Sequence, residues 1–399
     1  MTQCLIVINS GSTSLKFAIY RPNKINAAPA SLYSGAINNM QSAPNFIVKD
    51  HEGKQIHSHV WDNGIVLNCA DALHFALEWL AEKMPHLSII AAGHRIVLGG
   101  RRFTQPTLID DEILDYLDSL SQMEPSHQPA NVGGIKIVAK HFPQVPQVAC
   151  FDSAFHRSMP AVAQTYALPK EVLELGVRHW GYHGISYDYI SRKLKKLMPH
   201  AHRVIVAHLG GGCSLCAMLD GKSIETTMGF SGLSGLPMAT RSGNLPPEII
   251  FYLLRMHKYT VESVEKLLYQ RSGLLGLSGE THDMQTLLQS QSAAAKRTLE
   301  YFVYHIVQYV GAYMTLLGGL DALVFTAGIG ENAAEIRQQV CQRLAFLGIE
   351  LDAKKNAKHG PCISTIASKV AVWVVPTNEE EMVAMYTKEI LQEKNLLTF

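Results

Sequence analysis

Two stretches of the chain, about 200 positions apart, share one pattern of apolar and small polar residues. Residues 5–19 read LIVINSGSTSLKFAI and residues 205–219 read IVAHLGGGCSLCAML, and the two align without gaps. Each is an apolar run, a turn rich in Gly and Ser, and a second apolar run, which is the pattern of a β-hairpin. The repeat predicts a duplicated half-chain, and chance similarity between two ordinary hairpins is the alternative.

Helical and extended patterns alternate through the rest of the chain. Apolar residues recur at helical spacing in three stretches: residues 71–84, residues 111–120 behind Asp110 as N-cap, and residues 297–317, which stop at Gly318 and Gly319. Short runs rich in β-branched residues, typical of strands, lie at residues 88–92, 145–150 and 370–375. This alternation predicts an α/β fold in which helices flank the sheets.

Length and the position of the repeat predict two domains. At 399 residues the chain is longer than one hydrophobic core usually supports. Because one hairpin lies at the start of each half, we place the boundary near Cys150, which gives lobes at residues 1–150 and 151–378. The final helix, within residues 379–399, is expected to return to the first lobe, and the two connected lobes suggest a hinge.

Composition favours small-molecule substrates over nucleic acid or membrane as partners. Apolar residues make up 47% of the chain, and 35 Lys and Arg against 34 Asp and Glu leave a net charge of +1. No block of like charge stands out, which argues against binding to nucleic acid or to an anionic membrane. The start of the chain lacks the features of a targeting segment, and no apolar run approaches roughly 18 residues, so we expect a cytoplasmic protein.

The seven cysteines are odd in number and lie mostly in apolar segments, which predicts reduced thiols. Cys213 and Cys216 form a C-x-x-C pair, but the second pair that a zinc site needs is missing from the sequence. We therefore predict neither a metal site nor a redox site at these two residues.

Three segments rich in small residues have the composition of phosphate-binding turns. They are residues 9–14 (NSGSTS) followed by Lys16, residues 208–212 (HLGGG), and residues 328–332 (GIGEN). The first offers backbone N–H groups, hydroxyls and a cation, and the second lets a phosphate approach the main chain without a Cβ in the way. The third joins a strand to a helix start, where anions bind. A plain structural turn is the alternative for each, and the Walker A pattern does not occur.

Five charged or imidazole side chains are candidates for chemistry. Arg95 and Arg241 lie among small residues, where a guanidinium can clamp a carboxylate or phosphate, although each could also form a surface salt bridge. Asp152 follows an apolar strand and His183 lies in a glycine-containing loop, which are favoured placements for catalytic groups. With 18 histidines in the chain, a structural role for His183 stays open. Glu379 begins an acidic run at a helix start, where simple dipole stabilisation is the alternative.

In this order along the chain, the motifs resemble the acetate kinase family of acetokinases, within the superfamily of sugar kinases, heat-shock protein 70 and actin. The similar segments run from Ile6 to about Ala384, which is nearly the whole chain. The resemblance implies two duplicated α/β lobes of the ribonuclease H-like fold, with the active site in the interdomain cleft, and a homodimer. It also implies reversible transfer of the ATP γ-phosphoryl group to acetate, giving acetyl phosphate and ADP, with Mg²⁺ as cofactor and Mn²⁺ as an alternative ion.

The resemblance further implies roles for individual residues. The metal ligands would be Asn9 and Glu379, and Arg95 would bind the substrate carboxylate. Catalysis would involve Asp152 as proton donor or acceptor, with His183 and Arg241 stabilising the transition state. The acyl group would contact Val97, Ser126, Tyr182 and Gly232. ATP would contact Lys16, His208, Leu209, Gly210, Gly211, Gly212, Asp283, Met284, Gln285, Gly328, Ile329, Gly330, Glu331 and Asn332.

The chemistry of the acceptor narrows the role of Asp152. Acetate is already ionised at neutral pH, so its oxygen can attack phosphorus without a base that removes a proton. Catalysis then depends on positioning and on neutralising charge over the phosphoryl oxygens. We therefore expect Asp152 to act mainly by orienting a neighbouring Arg or Mg²⁺.

Some positions depart from the usual family pattern. Beside the nucleotide, Gly211 stands where Asn is usual, as in butyrate kinases, and Gln285 where Arg is usual. Around the acyl group, Tyr182 replaces Phe and Gly232 replaces Pro, and the segment at Ser126 also differs. Because pocket size discriminates short acyl tails by only ~1–3 kcal/mol, propionate kinase is the runner-up and butyrate kinase the third reading. A non-catalytic ATP-binding module of the same superfold is the alternative from another class.

Overall fold

The computed structural model describes residues 1–11, 14–23, 27–62 and 64–396. The chain divides into two compact units, one formed by Met1–Phe155 with Asn378–Phe399 and the other by His156–Thr377. Among the described residues, no helix is both long and apolar enough to cross a lipid bilayer.

The first unit contains a mixed sheet with helices packed on it. Its strands are β1 (Thr2–Ser10), β2 (Leu15–Arg21), β3 (Ala30–Asn38), β4 (Asn45–Asp50), β5 (Gln55–Val60), β6 (Leu87–Ile96), β7 (Thr107–Leu108) and β8 (Gln147–Phe151). Its first helices are α1 (Cys69–Lys83), α2 (Asp111–Ser119) and α3 (Gln128–His141). In the described residues the strand order is β5-β4-β3-β2-β1-β6-β8-β7, and β1, β6 and β8 run parallel to one another. The carboxyl ends of these three parallel strands therefore meet at one edge of the sheet.

The second unit begins with helices and then forms a smaller sheet. Its helices are α4 (Lys170–Glu174), α5 (Gly184–Leu197), α6 (Pro247–Met256), α7 (Val261–Gln270), α8 (Gly273–Ser278), α9 (Met284–Gln289), α10 (Ala293–Leu317), α11 (Ala327–Asn332), α12 (Ala334–Arg343) and α13 (Ala353–Ala357). Its strands are β9 (Arg203–Leu209), β10 (Cys213–Leu219), β11 (Lys222–Thr226), β12 (Ala322–Thr326) and β13 (Ala371–Val374), in the order β11-β10-β9-β12-β13. The last helix, α14 (Glu379–Glu393), belongs to the first unit.

Both predicted hairpins form. In the first, β1 pairs antiparallel with β2 and Asn9 lies opposite Lys16. In the second, β9 pairs antiparallel with β10 and Leu209 lies opposite Cys213. The apolar runs of the repeat are therefore the central antiparallel pair of each sheet, and the prediction of an α/β fold with helices flanking sheets is confirmed.

The predicted helices begin and end where the sequence contains capping residues. The Asp110 side chain accepts a hydrogen bond from Ile113 N at the start of α2, as expected from the N-cap pattern. The long helix α10 starts four residues earlier than predicted, at Ala293, because the Ser292 side chain accepts from Ala295 N. It ends at Gly318, whose φ of 68° is the left-handed conformation that glycine adopts readily.

The main core of the first unit lies between the sheet and α1. Ile6 and Ile8 from β1 pack with Leu73 from α1, and all three are buried. Phe46 from β4 contacts Trp79 edge-to-face, with 5.3 Å between ring centroids. All seven cysteines of the chain are free thiols, as predicted, and five of them are buried.

Candidate active site

Arg95 is the centre of a charged cluster in the first unit. Its side chain lies near the end of β6, and Asp152 directly follows the parallel neighbour β8. Asp152 Oδ2 accepts from Arg95 Nε at 3.1 Å and from Nη2 at 2.8 Å. Arg95 Nη1 donates to Asn9 Oδ1 at 3.2 Å and lies 3.3 Å from Glu379 Oε2 at the start of α14. Four predicted site residues from four distant segments are thus in direct contact.

The cluster keeps the Arg95 guanidinium charged in a largely buried position. The Asp152 side chain is only 1% exposed and that of Arg95 21% exposed. Burial by itself lowers the pKa of Arg95, but the nearby carboxylates of Asp152 and Glu379 outweigh it and raise the pKa. A permanently cationic group beside a sheet edge is suited to binding a small carboxylate.

Asn9 and Glu379 also have the ligand atoms that a magnesium ion prefers, which are carboxylate and amide oxygens. Asn9 Oδ1 and Glu379 Oε2 both contact the same nitrogen of Arg95, so the two oxygens converge on one point that attracts positive charge. Glu380 Oε1 lies beside them and accepts from Asn9 Nδ2 at 3.3 Å. In the part of the chain that the structure describes, no group of three His, Cys, Asp or Glu residues could hold a metal. The carboxylate and amide oxygens of Glu379 and Asn9 are donors that suit a Mg²⁺ with phosphate oxygens as further ligands.

Two side chains that the sequence analysis missed support this edge of the first unit. Asn131 of α3 accepts from Val97 N at 3.0 Å and donates to Ser10 O at 2.8 Å. It therefore joins a predicted acyl-contact residue to the first phosphate turn. Gln128 holds Leu98 through both its backbone N–H and its carbonyl. Both side chains are buried on α3, a helix that the sequence analysis did not predict, so no pattern in the sequence marked them.

The other predicted residues of the first unit have fewer polar contacts. Lys16 is exposed on β2 and shares a face of the sheet with Asn9, its cross-strand partner. Ser126 is half-buried in the loop that precedes α3. Ser12 and Thr13 of the first turn lie outside the described residues, while Gly11 N donates to Ser14 O at 2.9 Å.

Two histidines stack in the second unit. The rings of His183 and His208 are 4.1 Å apart between centroids, with 21° between their planes. His183 Nδ1 lies 2.8 Å from Ser214 Oγ, and His208 Nδ1 lies 2.9 Å from Ser186 Oγ. His183 has a φ of 59°, an unusual conformation for a residue other than glycine and one that tends to occur at functional sites.

The second glycine turn lies directly beside these rings. Gly210 N donates to Gly212 O at 3.1 Å, which closes the turn between β9 and β10. A Cβ on Gly212 would lie 3.1 Å from His183 Nε2, so a larger residue would push against this ring. A Cβ on Gly211 would meet nothing within 4 Å, so this position is open to a side chain such as the Asn that is usual in the family. Leu209 is fully buried in β9 and contributes packing rather than a polar group.

The third glycine segment differs from the prediction. Residues 328–332 are not a turn that precedes a helix, because α11 already begins at Ala327 and ends at Asn332, and α12 follows at Ala334. The turn is made by Ala327, whose φ is 64°. Glu331 Oε1 accepts from Ala327 N at 2.8 Å and stabilises this reversal. Asn332 closes the short helix by donating from Nδ2 to Gly328 O at 2.9 Å.

A buried arginine that the sequence analysis missed anchors this segment. Arg337 is fully buried in α12, and its Nη1 donates to Gly330 O and Glu331 O, both at 2.8 Å. Its Nε and Nη2 donate to the side chain and carbonyl of Asn356, each at 2.8 Å. Because carbonyls at a helix end attract cations, Arg337 fixes the carboxyl end of α11.

The remaining predicted residues lie in loops and a short helix of the second unit. Arg241 Nη1 donates to Gly232 O at 2.9 Å, and Tyr182 OH donates to Phe230 O at 2.8 Å. Both side chains therefore bind the same loop, at residues 230–232. Asp283 caps α9, which contains Met284 and Gln285, by accepting from Thr286 N at 2.7 Å. These hydrogen bonds lower the pKa of Asp283 and keep it ionised.

Comparison with known proteins gives matches along nearly the whole chain. The sequence profile of the Acetokinase family matches residues 4–385. The chain is 43% identical over 391 residues to an acetate kinase of Rhodopseudomonas palustris, covering 97% of this chain and 98% of the relative. It is 38% identical to an acetate kinase of Rickettsia typhi, with 96% and 98% covered.

Solved structures of two bacterial kinases are also similar. A propionate kinase from Francisella tularensis has a TM-score of 0.88 at 36% identity, with 97% of this chain and 100% of that chain covered. An acetate kinase from Porphyromonas gingivalis has a TM-score of 0.85 at 32% identity, with 98% and 100% covered.

Proposed function

Because the chain belongs to the acetokinase family, we propose that it is an acetate kinase, which transfers the γ-phosphoryl group of ATP reversibly to acetate. The products are acetyl phosphate and ADP. The observation that carries this proposal is the contact of Arg95 with Asn9, Asp152 and Glu379, which unites a carboxylate-binding cation and oxygen ligands for Mg²⁺.

Arg95 is proposed to bind the acceptor carboxylate. Its charge is maintained by Asp152, which holds the guanidinium through two nitrogens and so sets its direction. The acetate oxygen then attacks the γ-phosphorus while the bond from phosphorus to the ADP oxygen breaks. No proton has to move in this step, so a positioned cation is more useful than a general base.

The second unit is proposed to bind the nucleotide. The turn between β9 and β10 presents glycine backbone to the phosphates, and His208 lies at its edge. His183 and Arg241 are proposed to stabilise the charge that spreads over the transferring phosphoryl oxygens. Arg241 is held for this role by the carbonyl of Gly232.

Magnesium is the proposed cofactor, with Asn9 and Glu379 as its protein ligands. When bound, Mg²⁺ neutralises charge on the phosphates of ATP. Both side chains supply oxygen ligands and lie in the same cluster, which supports their assignment.

Trapping the acyl phosphate product tests the proposal. Purified protein is given ATP and Mg²⁺ with acetate, propionate or butyrate, and the acyl phosphate is captured with hydroxylamine. We expect the highest kcat/KM with acetate. Higher kcat/KM with propionate would support the second candidate, propionate kinase, which is the name of one similar solved structure. The absence of product from all three acids would refute carboxylate kinase activity.

A homodimer is also proposed, with α6 as part of its interface. This helix is rich in apolar residues, yet none of its residues is buried in the described chain. Tyr252 is 54% exposed and Met256 69% exposed. Large exposed apolar side chains on one helix are typical of an interaction surface.

We further propose that the enzyme acts in the cytoplasm, where ATP and short-chain carboxylates are available.

Sedimentation of the purified protein tests the dimer. We expect one species of twice the chain mass, and Tyr252→Glu together with Met256→Glu should shift it to the monomer because two charges would be buried. A monomeric wild-type protein would contradict the proposal.

A further inference from the structure

A buried hydroxyl on α5 joins the second glycine turn to the last residue of the second unit. Ser186 is fully buried, and its Oγ lies 2.9 Å from His208 Nδ1 and 2.8 Å from Thr377 Oγ1. Thr377 is the residue at which the chain leaves the second unit. We propose that Ser186 is a positioning residue that sets the tautomer and orientation of His208 toward the nucleotide phosphates. This inference rests on the kinase function proposed above.

The order of protons along the three side chains decides what His208 offers to a ligand. A neutral imidazole carries one ring hydrogen, and each hydroxyl donates only one. In one order, Thr377 donates to Ser186 and Ser186 donates to His208 Nδ1, so Nε2 carries the hydrogen. In the reverse order, Nδ1–H donates to Ser186, Ser186 donates to Thr377, and Nε2 has a lone pair.

Only the first order suits a phosphate at the turn. His208 Nε2 lies beside the turn, 3.8 Å from the position that a Cβ on Gly210 would take. Phosphate oxygens accept hydrogen bonds, so they attract Nε2–H and repel a lone pair. Ser186 is the group that can hold Nδ1 as an acceptor and so keep the hydrogen on Nε2.

The same contact fixes the His208 ring in space. The ring stacks on His183, and a serine also holds Nδ1 of that ring, since Ser214 Oγ lies 2.8 Å away. The two rings therefore form one unit supported at both Nδ1 atoms. A rotation of His208 would move the stacking surface of His183, which is proposed to act in the transition state.

Thr377, at the start of the proton order, is itself held by the third glycine segment. Its backbone N–H donates to Glu331 Oε1 at 3.1 Å, and the same oxygen accepts from Ala327 N. Glu331 is one of the proposed nucleotide contacts. The second and third nucleotide segments are therefore linked by the chain of contacts Glu331–Thr377–Ser186–His208.

The test compares Ser186→Ala with a matched control on the same helix. Ser191 is also a buried serine of α5, and its Oγ donates to Gly221 O at 2.8 Å, away from both rings. Each substitution removes one buried hydroxyl; Ser186→Ala loses the contacts with His208 and Thr377, and Ser191→Ala loses the hydrogen bond to Gly221 O. We expect Ser186→Ala to lower kcat/KM for MgATP about three- to tenfold, as loss of one hydrogen bond predicts, and Ser191→Ala to leave it unchanged.

A spectroscopic measurement separates positioning from general weakening of the fold. The ¹⁵N shifts of the His208 ring should show hydrogen on Nε2 in the wild-type protein with MgATP, and a mixture of tautomers in Ser186→Ala. Thr377→Val should give the same mixture, and it tests the proposal even if Ser186→Ala fails to fold. Ser186→Thr, which keeps the hydroxyl, should restore the Nε2–H signal.

Three results would overturn the inference. They are unchanged His208 tautomers in Ser186→Ala and Thr377→Val, wild-type kcat/KM for MgATP in Ser186→Ala, and an equal loss in Ser191→Ala. Failure of the proposed kinase function would give a different result, namely no acyl phosphate from the wild-type protein. The ¹⁵N shifts of His208 in that protein would still show whether MgATP selects the Nε2–H tautomer.

Discussion

Replacing Asp152 by Asn removes the charge that holds Arg95 and changes little else in shape. In the wild-type protein, Asp152 Oδ2 accepts from two nitrogens of Arg95 at 2.8 and 3.1 Å. After the change, Glu379 still places a carboxylate beside the Arg95 guanidinium, since its Oε2 lies 3.3 Å from Nη1. Asn also brings an NH₂ group that cannot accept from the guanidinium.

The expected loss of stability follows from the burial of the pair. Removing one partner of a buried ion pair typically costs about 3–5 kcal/mol of unfolding free energy. In Asp152→Asn, Arg95 keeps its contact with Glu379, and its side chain is 21% exposed to solvent. We therefore expect the unfolding free energy to fall by ~2–3 kcal/mol, at or somewhat below the lower end of that range. The rate should fall on the order of 100-fold, because a guanidinium shifted by about 1 Å no longer positions the acceptor.

The pH dependence distinguishes positioning from proton transfer. The rate of acyl phosphate formation is measured by hydroxylamine trapping between about pH 6 and 9, and unfolding by urea titration. If Asp152 positions Arg95, kcat falls while the shape of its pH profile is unchanged. Asp118→Asn is the control, because Asp118 forms an exposed ion pair with Lys136 and its loss should cost under ~1 kcal/mol. A pH profile that shifts in Asp152→Asn, or a rate within about twofold of wild type, would refute the reasoning.

Three further predictions concern a glycine beside Arg241, the proposed metal ligand Glu379 and two buried histidines. Gly232→Ala should lower kcat on the order of tenfold or more, because the new Cβ would lie 2.9 Å from Arg241 Nη1, whereas Gly311→Ala, with open space around it, should not change the rate. Glu379→Gln should raise the Mg²⁺ concentration needed for half-maximal rate, and an unchanged Mg²⁺ titration would remove Glu379 from the metal site. The free energy of unfolding should fall as the pH drops below 6.5. Burial lowers the pKa of His94 to about 4 and that of His156 to about 3, so between pH 6.5 and these values the unfolded chain binds protons on both histidines that the folded chain does not. Urea unfolding at pH 7 and 5 should differ by ~2 kcal/mol for each of these two histidines, and equal stabilities would contradict this.

Local structure could be predicted well because its causes lie within a few residues. The hairpins follow from two apolar runs around a small-residue turn, and α2 and α10 begin and end at capping residues that are adjacent in sequence. The third glycine segment was predicted less well. A glycine-rich stretch after a strand is compatible with a turn or a helix, and the hydrogen bond from Ala327 N to Glu331 decides for the helix.

The residue types of the candidate site were visible in the sequence, but their contacts were not. Asn9, Arg95, Asp152 and Glu379 were singled out by local surroundings and by resemblance to a family, and nothing local indicates that one guanidinium touches the other three. Asn131, Ser186 and Arg337 were missed because each acts on a distant backbone or ring, and a polar residue in a helix has no pattern of its own.

Sequence alone therefore determined the α/β class, the two paired hairpins and the candidate charges, because periodicity, capping and backbone freedom are local properties. Tertiary structure decided which polar and charged side chains contact one another, since the hydrogen bond from Asn9 to Glu380 spans 371 positions of the chain. It also decided how His183 and His208 are oriented, because stacking and the hydroxyls that hold each ring come from different elements. Long-range packing, which no short window of residues contains, is the physical reason for the difference.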